Sequence, residues 1–200
     1  MRSDPNFIVS AAPNTPILIG GVLEIIVALA GIGTAVALYP VVKIQNEGVA
    51  LDLVGSRILE AATIVAGVVS LLSIVSLRQA GVGANGLVTS QALVAQYNWS
   101  FHLGQSLLPA VNGLLLGSLL YRSRLVPRVL PLVGLIGAAL LLFSNAAVLF
   151  GHWPQVSGLS GLFAVPIALW GFSLGVYLIV KGFKPSPITA GMTATSARPA

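Results

Sequence analysis

The chain has 200 residues, 56% of them hydrophobic and only 8% charged, and its mean hydropathy is +0.95. A soluble domain is about half apolar and about a quarter charged, and ten basic plus five acidic residues give no polar skin for a fold of this size. An ordinary cytosolic enzyme, a nucleic-acid-binding domain and a disordered chain are excluded, which leaves an integral membrane protein. The net charge of +5 then reads as basic residues on cytoplasmic loops, and no nucleic-acid partner is expected.

Residues 1–16 form a polar external segment with Pro5, Pro13 and Pro16 and without the apolar stretch of a signal peptide. A spanning helix needs about 20 mostly apolar residues. Five runs meet that need. The first, 17–39, is interrupted only by Glu24 and closed by Pro40. The second, 53–77, carries Arg57 and Glu60 near its start. The third is 99–121, the fourth 129–151, and the fifth 159–180, ending at Lys181. The stretch 79–97 is the longest loop, with Gly81, Gly83 and Gly86 in its flexible half and a segment from Thr89 open to helix. Residues 181–200, rich in Pro, Ser, Thr, Gly and Ala, read as a disordered cytoplasmic tail. No run alternates with period two, and each is about twice the length of a barrel strand. The expected fold is all-α, a polytopic transmembrane helix bundle of five spans over 17–180.

Basic residues set the orientation. One side holds Lys43, Arg57, Arg122, Arg124, Arg128, Lys181, Lys184 and Arg198, and the other only Arg2 and Arg78. The N-terminus is therefore expected outside and the C-terminus in the cytoplasm, with the bilayer of a cell's inner (plasma) membrane as the partner. Arg122, Arg124 and Arg128 serve topology and contact with lipid headgroups. Trp99 and Trp153 fall at the outer interface, whereas Trp170 falls near mid-span.

An ionisable group inside a span costs about 2.5–3.5 kcal/mol on insertion scales, so such groups are the first candidates for chemistry. Glu24 lies about 10 Å inside the first span at ~1.5 Å per residue, with Gly20, Ala28 and Gly31 on its face. Two readings stay open. One is a protonated carboxyl hydrogen-bonded to a neighbouring helix, and the other is a proton or cation site. In the third span Asn98, His102, Gln105, Pro109 and Asn112 follow one another at spacings of 4, 3, 4 and 3, a single helical stripe. Pro109 lacks an N–H and frees a carbonyl one turn earlier. The stripe is either interhelical glue or the lining of a wet cavity. Glu24, His102, Gln105 and Asn145 share a depth roughly 5–10 Å below the outer boundary, which suggests one outward-facing polar pocket completed by Asn112. Arg57 and Glu60, spaced i, i+3, form a candidate ion pair, shallow enough for Arg57 to snorkel to the headgroups. The GxxxG patterns at Gly113/Gly117 and Gly171/Gly175 mark close helix packing within the chain.

There is no Cys, so thiolate metal sites and disulfides are excluded. Two His and five carboxylates make a metal site unexpected, and no cofactor is expected. HExxH, GxSxG and Walker A motifs are missing.

The strings ALYPVVK at 37–43, EGVAL at 47–51 and RILEA at 57–61, with LYRSRLVPR at 120–128, resemble a family of small bacterial integral membrane proteins classed as a domain of unknown function. The similarity runs over most of 17–182. It implies a helical inner-membrane protein, usually of six spans, with Glu24, Arg57 and Glu60 in the family pattern. It implies no activity or ligand. The family opens with one more helix before a linker resembling DPNFI at 4–8. A chain lacking that helix, through a misplaced start codon or a real truncation, is expected.

Two main function classes follow. The first is a small transporter or ligand-binding protein for a small molecule or ion, built on the outward polar pocket. The second is a structural or partner-binding membrane subunit. An intramembrane enzyme ranks third. The oligomeric state is not readable from sequence.

Overall fold

The five apolar runs become helices because backbone N–H and C=O groups in hydrocarbon must be paired within their own segment. The computed structural model describes residues 13–184, and every regular element among them is helical. They are α1 (Thr15–Val42), α2 (Glu47–Gln79), α3 (Leu87–His102), α4 (Leu108–Ser123), α5 (Val129–Leu149) and α6 (Gly158–Lys181). A 3-10 turn, Gly83–Gly86, leads into α3, and a π turn, Leu103–Leu107, joins α3 to α4. Five continuous segments, Gly83–Ser123 counting as one, are long and apolar enough to cross a membrane. Most of the polar N-terminal segment and most of the C-terminal tail lie outside the described residues.

Several helix ends differ from those read in the sequence. The first helix passes through Pro40 to Val42. A proline this close to the end removes a single ladder bond, and the Lys43 N–H closes onto the Tyr39 carbonyl at 3.0 Å. α2 starts at Glu47 rather than 53 because Asn46 caps it, its Oδ1 accepting from the Val49 N–H at 3.1 Å. It ends where the Val82 N–H returns to the Leu77 carbonyl and the Gly81 N–H to Arg78. Gly81 supplies the left-handed φ of +69° that this double bond needs. The segment 79–97 is consequently a short turn followed by helix.

The described chain divides into two compact units. The first comprises residues 13–33 and Ile58–Ser106. Here α1 and α3 both pack on α2 at small residues. A Cβ added to Gly21 would stand 3.3 Å from Val68, and Ala28 is buried with Ala61 and Ile64. A Cβ at Gly67 would stand 3.2 Å from Ser100 and 3.4 Å from the Tyr97 ring. Gly104, in the π turn, approaches Ile64 and Thr63 equally closely. At one end of this unit the Arg78 Nη1 donates to Asn14 Oδ1 at 2.8 Å.

The second unit comprises Thr34–Arg57 and residues 107–184. Its core joins Leu38, Val42 and Leu53 to Leu116, Leu120, Leu125, Val126, Trp170 and Leu174. Glycines set the spacing of its helices. A Cβ at Gly137 would lie 2.7 Å from the Ile167 backbone nitrogen, and one at Gly134 would lie 2.4 Å from the Trp170 ring. Trp170 is thus a packing residue laid flat on α5, which explains its mid-span position. Gly113 and Gly117 meet Ala138, Ile167 and Leu135, as close packing within the chain requires. Gly171 and Gly175 do not: a Cβ at either meets nothing within 4 Å.

Candidate functional site

Glu24 sits mid-helix in α1, half-buried, between the buried Gly21 and Ala28. These small neighbours let α1 approach α2 closely; Ala28 belongs to the stripe expected from the sequence, whereas the buried glycine is Gly21 rather than Gly20. The group that meets the carboxyl comes from α3. The Tyr97 hydroxyl donates to Glu24 Oε1 at 2.5 Å. Tyr97 is 2% exposed. Its ring lies over Gly67 of α2, where an added Cβ would touch the ring at 3.4 Å and press on Ser100 at 3.2 Å, and 6.3 Å from the Phe101 ring. One tyrosine therefore spans from α2's surface to an acid on α1.

Tyr97 is the residue that sequence reasoning missed. It lies at the end of the stretch 79–97, expected as a loop with its part from Thr89 open to helix. A usable signal exists: Tyr97, Phe101 and Gly104 repeat at 4 and 3, an aromatic and small stripe on the helix face that packs inward. The polar stripe of Asn98, His102 and Gln105 lies roughly 100° round the helix from it, at ~100° per residue.

His102 is nonetheless buried, at 3% exposure, with the edge of its ring against Trp99 at 5.8 Å. Trp99 is itself half-exposed, so it forms a cover on the outer side of the imidazole. Gln105 is half-buried in the π turn. That turn precedes Pro109, which stands in the first turn of α4 where its missing N–H is tolerated. A π turn adds a residue to the helical repeat, so the 4, 3, 4, 3 spacing loses its meaning beyond Leu107. Glu24, His102 and Gln105 belong to the first unit, whereas Asn112 and Asn145 belong to the second.

In the second unit Asn112 is fully buried, and Asn145 is 3% exposed beside the equally buried Ser144. The Asn145 Nδ2 donates to the Leu141 carbonyl at 2.8 Å. Its Oδ1 has no hydrogen-bond partner among the described residues. Arg57 and Glu60 stand one turn apart on α2. Arg57 is half-buried, but Glu60 is only 7% exposed, the one carboxylate in the buried class among the described residues. Arg122, Arg124 and Arg128 are all exposed, Arg124 closing α4 in the left-handed region at φ +55°. Among the described residues no three of His, Cys, Asp and Glu gather as a metal site would require.

The family model described as "Domain of unknown function (DUF4386)" matches residues 2–182. The chain belongs to that family. No curated protein and no solved structure matches it. That description assigns no activity or ligand, so function rests on the residues themselves.

Proposed function

We propose that this multi-pass membrane protein is a small transporter or ligand-binding protein, and that Glu24, held by Tyr97, is its proton or cation site. The observation that carries the reading is the 2.5 Å bond from the Tyr97 hydroxyl to Glu24 inside an otherwise apolar span. A carboxyl in hydrocarbon is costly, and one that serves only as glue is replaceable by neutral groups. A phenol fixed by the packing at Gly67 presents a donor to one carboxyl oxygen and leaves the other for a proton or ligand. His102 and Gln105 are two further polar groups of the same unit and would line the approach. The basic residues favour the inner (plasma) membrane of a cell, with the C-terminus in the cytoplasm.

The alternative, a structural or partner-binding subunit, draws on the same close packing, since Tyr97 ties two helices together. Glu24→Gln separates the two, because a glutamine oxygen still accepts from Tyr97 but never ionises. Infrared difference spectra of the reconstituted protein between acid and alkaline pH are expected to contain a carboxyl band that Glu24→Gln removes, at unchanged membrane abundance. A wild-type spectrum in which no such band titrates would leave Glu24 as structural glue.

A further inference from the structure

We propose that the groove between α5 and α6 in the second unit is a binding site for one phospholipid with a net negative headgroup. The groove has a volume of about 370 Å³. α6 offers it two neighbouring ridges, Phe172–Val176–Val180 and Ser173–Tyr177–Lys181, each at i, i+4, i+8 spacing. Leu130 closes it from α5. From Phe172 to Lys181 the helix rises roughly 13 Å, close to the ~15 Å depth of one leaflet of a ~30 Å core. The first ridge is wholly apolar and suits an acyl chain. The second gains polarity toward one end, where Lys181 is the last residue of α6 and stands exposed.

Charge complementarity selects the headgroup. The Lys184 N–H donates to the Leu125 carbonyl at 2.8 Å, which ties the segment after α6 to the loop carrying Arg122, Arg124 and Arg128. That loop is anchored, since Leu125 and Val126 are each 1% exposed and Phe183 packs against the same core. The Arg128 guanidinium lies 5.4 Å over the Tyr121 ring, which restrains it beside the start of α5 and Leu130. Cations thus crowd the headgroup end of an apolar groove on a packed frame. A zwitterionic lipid fills the groove equally well but gains little from them. A second copy of the chain, related by a two-fold axis along the membrane normal, would bring its own cations against these.

The test uses the purified full chain in mild detergent, titrated with phosphatidylglycerol or phosphatidylcholine of matched chains and followed by native mass spectrometry and the unfolding midpoint. Phosphatidylglycerol is expected to bind at least about fivefold more tightly, the worth of one interfacial cation. Lys181→Gln should lose about that factor for phosphatidylglycerol alone, Lys181→Arg should keep it, and Val176→Trp, which fills the groove, should weaken both lipids. Lys43→Gln, outside the groove, should leave binding unchanged. Equal affinity for the two lipids, an unaltered preference in Lys181→Gln, or a dimer that Val176→Trp dissociates would overturn the proposal.

Discussion

The Tyr97 hydroxyl rests on the Glu24 carboxylate at 2.5 Å, joining α3 to α1 over a sequence separation of 73 residues. The hydrogen bond and the carboxyl group make separable contributions. Tyr97→Phe keeps the ring over Gly67 and deletes only the donor. It is expected to lower stability in detergent by about 1–2 kcal/mol, the range for hydrogen bonds to a polar partner in a membrane bundle. Glu24→Gln keeps an acceptor and should cost less than half of that. Chemical unfolding of the two variants and their double mutant measures the coupling. Equal losses would place the stabilisation in the charge.

The glycines of α5 are fitted to α6. A methyl group at Gly137 meets backbone 2.7 Å away, and one at Gly134 meets an indole at 2.4 Å. Gly137→Ala and Gly134→Ala should each cost about 1–3 kcal/mol by overpacking, the first more because backbone cannot rotate aside. Gly171→Ala and Gly175→Ala meet nothing within 4 Å. They should be neutral or stabilising by up to ~1 kcal/mol from helix propensity. Thermal unfolding of the four single variants checks the order.

Asn145 is buried, yet its amide donates within its own helix, to Leu141, and its Oδ1 is unmatched among the described residues. Asn145→Ala removes a poorly satisfied amide and should cost under about 1 kcal/mol. Leu141→Ala, one turn away, removes packed hydrocarbon and should cost about 2–5 kcal/mol. If the two unfold alike in denaturant, the asparagine contributes packing that its hydrogen bonds do not reveal.

Orientation is open to direct test. A reporter that is active only in the cytoplasm, fused at the C-terminus, should be active, and one inserted at Gln155 should not. Replacing Arg122, Arg124 and Arg128 together with glutamine removes three of the eight cations on the basic side. A mixed population of orientations is then expected, read by the same fusions. Reporter activity at Gln155 in the wild type would reverse the assignment.

Hydropathy made the five crossings legible, because the free energy of transfer adds along contiguous residues and needs no knowledge of neighbours. It misjudged their ends where capping decided. Asn46 starts α2 early, and Gly81 compresses the expected loop. Helical hydrogen bonds form through polar residues as readily as apolar ones, so the stretch before Trp99 is helix despite its low hydropathy.

The sequence by itself determined the solvent, the secondary structure and the short list of polar groups that need an explanation. Only tertiary structure decided which of them meet. Polarity singled out the stripe of Asn98, His102 and Gln105 as the natural partner for Glu24. Shape chose Tyr97 instead, because pits at Gly67 and Gly104 turn the aromatic face of α3 toward α2. In a bilayer lipid is as apolar as leucine, so helices associate by fit rather than by hydrophobicity. Fit depends on residues far apart in the chain, which no local pattern encodes.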